Sequence, residues 1–201
     1  MLRKWAYTLK HFRETAYHHH GNHPRSYLKF IYNSLFERNV FIVYSMDLTK
    51  ELPENFLDPE FTVIKPTMPE LDNLRRNTDW PREFYYDQIH GISRCYLVLC
   101  GHEVAYIHWV YVKGDPSRFL NLSEGVGELN YNTTLPKFRG RRLSAKVMLY
   151  IFHDLKEQGF VKAVGVIDSG NIASIKSAEA IPWPQAAKIT TFGQFNRKIR
   201  I

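Results

Sequence analysis

Cysteine is scarce in this chain, which has two thiols, Cys95 and Cys100, among 201 residues. Both fall in one strand-like run at an odd spacing, so their side chains are expected on opposite faces and cannot easily bridge. The composition therefore excludes a secreted domain held together by disulfides. We expect reduced thiols in a cytoplasmic protein.

Long apolar runs are also missing. No stretch approaches the ~20 apolar residues that a membrane-spanning helix needs, and residues 1–23 lack the continuous apolar core of a signal peptide. Hydrophobic residues still make up 44% of the chain, which favours a globular protein. The histidines at 18–20 and 23 are adjacent in one run and are expected to form a solvated loop, so no metal site is predicted.

Acidic residues are outnumbered: 27 Lys and Arg stand against 20 Asp and Glu, for a net charge of +7. This surplus suits a polyanionic partner, which includes nucleic acid, an acidic membrane surface and a phosphate-rich cofactor. Net charge alone does not choose among them.

The hydrophobic pattern predicts strands alternating with helices. Strands are predicted at 40–48, 61–65, 94–100, 103–112, 128–135, 161–168 and in the tail from 188, and helices at 25–37, 70–76, 142–158 and 171–180. Residues 80–90 fit a helix or a structured loop, and 114–127 fit a loop. Gly101-His102 suits a tight hairpin turn. The strand–helix–strand order from 128 implies parallel neighbours, so the fold class is α/β or α+β with a mixed sheet.

Polar residues alternate along the strand at 128–135. Glu128, Asn130, Asn132 and Thr134 are expected to share one side. Burying four such groups without partners would cost ~1–3 kcal/mol each. That side is therefore predicted to line a wet cleft, or else to face solvent on an open part of the sheet.

The loop after this strand concentrates positive charge where a helix begins. Pro136 ends the strand, Gly140 permits a tight turn, and Arg139, Arg141 and Arg142 crowd the helix start. Unpaired N–H groups of residues 140–144 would point into one concavity suited to phosphate oxygens. The spacings G-x-x-x-x-G-K-[ST] and G-x-G-x-x-G are both absent, so the phosphate belongs to another kind of ligand.

These residues resemble the cofactor signature of the GNAT N-acetyltransferase superfamily, Pro-x-x-Arg-Gly-x-Gly-[Leu/Ile]-[Gly/Ser/Ala]. The signature is matched by Pro136, Arg139, Gly140, Arg141, Arg142, Leu143 and Ser144. A second signature at the next strand–helix junction is similar to "NIASIKSAE", through Asn171, Ser174, Ile175 and Glu179. The resemblance covers about residues 90–183.

The resemblance implies a single acyl-CoA N-acyltransferase domain over 1–201, with residues 1–40 as a family-variable N-terminal extension. It implies a mostly antiparallel central sheet with one parallel strand pair, covered by helices. Acetyl-CoA, or another acyl-CoA, would be the cosubstrate, with no metal. The backbone of Thr134 and Leu135 would pair with the pantetheine arm, and the amides of 139–144 would hold the pyrophosphate. Asn171 and Ser174 would contact the cofactor near the splayed strands.

Three positions depart from the family pattern. Arg142 replaces the usual second glycine, Ala178 stands where many relatives carry a tyrosine general acid, and Pro182-Trp183 replaces a Gly-Phe pair. Cofactor binding should survive these changes. The source of the proton for the leaving thiolate is open, between water and another tyrosine.

Direct attack of a primary amine on the thioester needs a base and an oxyanion donor. Glu128 is the candidate base, with a surface ion pair as its alternative role, and His108 and Tyr131 are weaker candidates. The acceptor would be a small-molecule amine or a sugar amine, and a longer acyl chain is not excluded. The alternative function is a non-catalytic GNAT-shaped module that binds CoA or nucleic acid through its basic cluster. The sequence leaves the oligomeric state open, with a homodimer among the options.

Overall fold

The computed structural model describes residues 38–54, 57–192 and 199–200. The chain divides into two compact units, one made of 41–189 with 197–201 and the other of 1–40 with 190–196. The first of these contains the described residues apart from 38–40 and 190–192, which are the outer ends of two strands. The predicted helix at 25–37 lies outside the described residues, and the single-domain organisation stays a prediction.

A seven-stranded mixed sheet forms the centre of the larger unit, in the order β2-β3-β4-β6-β7-β1-β8. The strands are β1 (Arg38–Asp47), β2 (Phe61–Ile64), β3 (Cys95–Cys100), β4 (Glu103–Tyr111), β6 (Val126–Thr134), β7 (Lys162–Asp168) and β8 (Gln185–Phe192). Two further short strands, β5 (Leu120–Asn121) and β9 (Ile199–Arg200), pair with each other. The sheet is mostly antiparallel with one parallel pair, β6 and β7, which confirms the predicted fold class.

Short helices connect the strands. They are α1 (Met68–Leu74), α2 (Tyr86–His90), α3 (Leu143–Glu157) and α4 (Ile172–Glu179), with 3-10 turns at Arg82–Tyr85 and Pro136–Phe138. None of these described helices is long and apolar enough to cross a membrane. The predicted loop at 114–127 contains β5, and the predicted hairpin turn at Gly101 has a φ of +59°.

Helix α3 crosses from β6 to β7 and covers one face of the sheet. Its predicted apolar stripe is buried in full: Leu143, Val147, Met148, Ile151, Phe152 and Leu155. The stripe packs on residues of β4 and β6 such as Val110 and Leu129. The opposite face of the same strands packs against α1 and α2, through Trp109 and Tyr111. Both thiols are free, as predicted.

A β-bulge at Tyr131 corrects the predicted polar side of β6. Asn130 pairs with Trp109 and Asn132 pairs with His108, so Tyr131 is an extra residue, and its φ is +44°. One inserted residue reverses which face the following side chains occupy. Glu128 and Asn130 therefore lie on the α2 face, whereas Asn132 and Thr134 lie on the α3 face. The four polar residues do not share one side.

Candidate functional site

The parallel strands β6 and β7 separate shortly after they begin to pair. Their ladder runs from Val126 opposite Lys162 to Glu128 opposite Val164 and ends there. Beyond Glu128 the two strands diverge, because β6 stays with β4 through Thr134 while β7 stays with β1 through Asp168. The result is a wedge-shaped gap in the middle of the sheet.

A cavity of about 270 Å³ occupies this gap. We call it the gap cavity. Its walls come from β4, β6, β7, α3, α4 and the chain on either side of them: Phe41, Glu83, His108, Arg118, Phe119, Leu129, Asn130, Tyr131, Asn132, Ser144, Met148, Val166, Ile167, Asp168, Asn171, Ser174 and Trp183. Because it is lined from both faces of the sheet, the gap cavity can admit one reactant from each side.

A second depression, of about 320 Å³, lies at the start of α3, and we call it the loop groove. It is lined by Asn132, Thr133, Thr134, Phe138, Arg139, Gly140, Arg142, Leu143, Ser144, Ala173, Ser174 and Ser177. Asn132, Ser144 and Ser174 line both depressions. The loop groove therefore leads into the gap cavity.

The backbone at the head of the loop groove has the form of an anion cradle. Gly140 has a φ of +82° and Arg142 a φ of +55°, on either side of Arg141. Backbone whose handedness alternates in this way turns successive N–H groups towards one side. The N-terminus of α3 has no side-chain cap and no acidic residue in its first turn. Its first N–H groups are therefore available to an anion.

The three arginines of this loop differ in their partners. Nε of Arg139 donates to the carbonyl oxygen of Thr134 at 3.2 Å. Nη1 of Arg141 donates to Oε1 of Glu60 at 2.8 Å. The exposed Arg142 side chain has no hydrogen bond or ion pair with any residue that the structure describes. Arg142 is thus the guanidinium left for a ligand.

The strand β6 presents a backbone edge to the gap, but with a different register from the predicted one. Leu135 donates its N–H to the carbonyl of Ala105 and accepts from the N–H of Phe138, both at 2.9 Å. Both backbone groups of Leu135 are therefore occupied. Since backbone groups alternate in direction along a strand, those of Asn132 and Thr134 face the gap. Of the two predicted pairing positions, Leu135 has both backbone groups occupied, whereas Thr134 faces the gap with its carbonyl oxygen already accepting from Arg139.

Asn171 and Ser174 form the opposite wall, at the start of α4. Oδ1 of Asn171 accepts from the N–H of Ser174 at 3.1 Å, so Asn171 caps the helix. Capping fixes the side chain at the mouth of the gap cavity while its amide nitrogen stays turned away from that bond. Both residues line the gap cavity, and their contact with a cofactor stays a prediction.

Glu128, the candidate base, is completely buried at the point where β6 and β7 part. Its Oε1 accepts from Nδ2 of Asn130 at 3.2 Å. Asn130 also accepts the N–H of Tyr131 at 2.9 Å through its own Oδ1. The Asn130 side chain thus holds the bulge and stands between Glu128 and the gap cavity, whose lining includes Asn130 and not Glu128.

Two buried polar side chains on β4, Tyr106 and His108, form a hydrogen-bonded pair, and the sequence indicated only His108, as a weaker candidate. Oη of Tyr106 is 2.7 Å from Nδ1 of His108 and 3.4 Å from Oγ of Ser144. Burial lowers the pKa of His108 to about 3, which disfavours His108 as a base for an ammonium group. The alternation of β4 placed both rings on one face, but no sequence signal showed that this face meets a cavity.

Charged side chains and a buried tryptophan form the remaining walls of the gap cavity. Glu83, Arg118 and Asp168 bring charges of both signs to the gap cavity, and the Arg118 guanidinium lies over the Phe119 ring at 4.7 Å. On the α3 side, Trp183 is buried and lies against Gly165, at 2.4 Å from where a Cβ would be. Ala178, at the family's tyrosine position, is fully buried.

No protein-family profile and no curated protein sequence matches this chain. Several solved structures do match it. A protein assigned to the GNAT acetyltransferase family from Novosphingobium aromaticivorans is 17% identical, with a TM-score of 0.52 over 78% of this chain and 64% of that one. The glucosamine N-acetyltransferase region of a fungal multi-domain GH3 β-N-acetylglucosaminidase is 12% identical, with a TM-score of 0.57 over 84% of this chain and 23% of that one.

A third solved structure is AAC(6')-Iy in complex with the bisubstrate analogue CoA-S-monomethyl-acetylneamine. It is 15% identical, with a TM-score of 0.50 over 69% of this chain and 98% of that one. The chain spans between half and two thirds of the first two structures that it matches. At identities this low the likeness shows the fold, and the chain has the GNAT fold.

Proposed function

We propose that this protein transfers an acetyl or other acyl group from acyl-CoA to a primary amine. The observation that carries the proposal is the continuity between the anion cradle at the start of α3 and a gap in the sheet that is lined from both faces. An extended cosubstrate with a diphosphate at one end and a thioester at the other fits such a path. The acceptor amine, from a small molecule or an amino sugar, would enter the gap cavity from the other face.

Each part of the cosubstrate has a matching part of the site. The diphosphate would lie on the N–H groups of residues 140–144, with the Arg142 guanidinium beside it. The pantetheine arm would pair with the backbone of Asn132 and Thr134, along the edge of β6 that β7 leaves open, and would share the Thr134 carbonyl oxygen with Arg139. Asn171 and Ser174 would hold the opposite side, so that the thioester reaches the gap cavity.

The reaction is a direct displacement. The amine loses a proton and its nitrogen attacks the thioester carbon, a C–N bond forms, and the C–S bond breaks to release the CoA thiolate. Glu128 would take the proton, and because Asn130 stands before it, the transfer would pass through one water. With Ala178 at the tyrosine position, the thiolate would be protonated by solvent.

The test is calorimetry with acetyl-CoA on the parent and on two variants of one glycine. Gly140 has no heavy atom within 4 Å of where a Cβ would be, so both variants fit sterically. Gly140→Asp places a carboxylate in the cradle. Gly140→Asn has the same shape without the charge, and Asn tolerates a positive φ as well as Asp does. We expect Gly140→Asn to stay close to the parent and Gly140→Asp to lose about tenfold or more, which is ~1.4 kcal/mol.

Three results would contradict the proposal. Equal affinities in the Asp and Asn variants would remove the cradle as the diphosphate site. Binding without release of free thiol, in the presence of glucosamine or a simple alkylamine, would favour a non-catalytic CoA-binding module. Salt-dependent retention on DNA would favour a nucleic-acid partner, although Arg139 and Arg141 already bond to groups of the protein itself.

A further inference from the structure

The gap cavity contains a hydrogen-bonded pair of side chains for which the proposed reaction has no role. Tyr106 and His108 are two positions apart on β4 and are 0% and 1% exposed. Of the two, His108 lines the gap cavity. Oη of Tyr106 lies 2.7 Å from Nδ1 of His108, on the side of the ring away from Nε2. His108 is therefore the member of the pair that borders the space that would hold the reacting groups.

The hydrogen-bond distances indicate where the protons lie. A tyrosine hydroxyl has one proton to donate, and the contact of Tyr106 with His108 at 2.7 Å is much shorter than its contact with Ser144 at 3.4 Å. The proton of Tyr106 is therefore assigned to the bond with Nδ1. Burial keeps the imidazole neutral, because it lowers the pKa of His108 to about 3. A neutral imidazole that accepts at Nδ1 carries its proton on Nε2.

The Nε2–H group is buried, and no described residue is its hydrogen-bond partner. Buried donors are nearly always paired in folded proteins, so a partner in the cavity is to be expected. The N–H at the bulge, which also lies in the gap, is already used: Tyr131 donates it to Oδ1 of Asn130 at 2.9 Å. His108 is therefore a residue of the cavity lining whose ring N–H is not committed to a partner among the described residues.

We propose that Nε2–H of His108 donates a hydrogen bond to the thioester oxygen of the bound acyl-CoA, and that Tyr106 is the positioning residue that sets this tautomer. The inference rests on the proposed function. As the amine attacks, the π electrons of the carbonyl move to the oxygen, and the hydrogen bond strengthens as charge develops there. His108 keeps its proton throughout, and the electrons return when the C–S bond breaks.

One other buried donor competes for this role. Nε1 of Trp183 is also buried without a hydrogen-bond partner among the described residues, and Trp183 lines the same cavity. The indole is held by packing against Gly165 and Phe152 rather than by a hydrogen bond. The experiment must therefore distinguish His108 from Trp183 as the hydrogen-bond donor.

Isotope-edited infrared spectroscopy of acetyl-CoA labelled with ¹³C at the carbonyl reports this bond directly. In the parent, binding should shift the carbonyl stretch to lower frequency. His108→Phe should abolish the shift, and His108→Gln, which keeps an N–H near the position of Nε2, should restore part of it. Tyr106→Phe should weaken the shift, while Trp183→Phe should keep it. His153→Phe is the matched control, since His153 bonds to the carbonyl of Pro53 at 2.7 Å and lies outside the cavity.

Affinity gives a second readout. His108→Phe should bind acetyl-CoA about fivefold more weakly than the parent, which is the size of one hydrogen bond, and should bind CoA, which has no thioester oxygen, as the parent does. This inference would be overturned if acetyl-CoA bound to His108→Phe showed the same carbonyl shift as in the parent, or if the shift were lost only in Trp183→Phe. Either result would leave the proposed function standing. Absence of acetyl-CoA binding by the parent would overturn both.

Discussion

Arg142 combines two properties that a single residue rarely carries, and three substitutions separate them. Its backbone has φ and ψ of +55° and +26°, a left-handed conformation that costs an L-residue with a Cβ ~1–2 kcal/mol. Its guanidinium is exposed and has no described partner in the protein. Arg142→Gly removes the strain and the charge, Arg142→Ala removes only the charge, and Arg142→Lys keeps both strain and charge.

The expected stabilities follow from the backbone. Glycine relieves the left-handed strain but adds freedom to the unfolded chain that costs ~0.5–1 kcal/mol. Arg142→Gly should therefore be more stable than Arg142→Ala by up to about 1 kcal/mol. Arg142→Ala should match the parent within about 0.5 kcal/mol, because an exposed side chain without contacts is removed. Urea denaturation at neutral pH measures both differences.

The expected affinities follow from the side chain. A charge-assisted hydrogen bond to phosphate contributes ~1.5–3 kcal/mol when desolvated and less at an exposed position. Arg142→Gly and Arg142→Ala should thus each bind acetyl-CoA about tenfold more weakly, with a smaller salt dependence, and Arg142→Lys should lie between them and the parent. Dephospho-CoA, measured beside CoA, tells whether the contact is to the diphosphate or to the ribose phosphate.

Arg141→Ala is the matched control, because Arg141 is paired with Glu60 and should affect binding less. An Arg142→Gly variant no more stable than Arg142→Ala would show that position 142 is not left-handed in solution. An Arg142→Ala variant that binds acetyl-CoA as tightly as the parent would show that the guanidinium does not reach the phosphates, and the assignment of the loop groove would lose its main side chain.

Two further predictions concern packing and thiol chemistry. Gly165→Ala should destabilise the protein by ~1–3 kcal/mol, since its Cβ would lie 2.4 Å from the Trp183 ring, and the double variant with Trp183→Leu should recover part of the loss in urea denaturation. Gly127→Ala should cost less, because the nearest atom to its Cβ would be the end of the Leu155 side chain at 3.0 Å. Burial raises the pKa of Cys95 to about 12, so a thiol reagent at pH 8 should label Cys100 alone until the chain is unfolded. The neutral thiol of Cys95 also stabilises the folded state below about pH 9, and this contribution should decline as the pH rises towards 12.

The helices and strands of the larger unit could be predicted from the sequence where the apolar residues follow a single helical or strand-like spacing. Helix α3 shows this best, because its apolar positions at helical spacing all became buried. The Gly101 hairpin and the strand–helix–strand crossover followed from turn chemistry and chain order. The loop proposed to bind an anion could also be located, since helix geometry makes N–H groups available wherever a helix begins without a cap.

The interior of the site could not be read in the same way. A bulge inserts one residue without a sequence signature of its own, although the side chain that holds it, Asn130, belongs to the adjacent residue. The partner of Arg141, Glu60, lies far away in the chain, so the unequal roles of the three arginines depended on long-range packing. The Tyr106–His108 pair looked like ordinary core until the divergence of β6 and β7 placed a cavity beside it.

The distribution of backbone strain supports this location of the site without reference to any relative. Among the described residues, the non-glycine positions with positive φ are Asn77, Tyr131 and Arg142. Asparagine adopts this conformation readily, whereas tyrosine and arginine do so at a cost. Those two costly positions lie on the same path, Tyr131 on the wall of the gap cavity and Arg142 at the head of the loop groove. Strained residues cluster at functional sites, and here both lie on the walls of two depressions that share Asn132, Ser144 and Ser174.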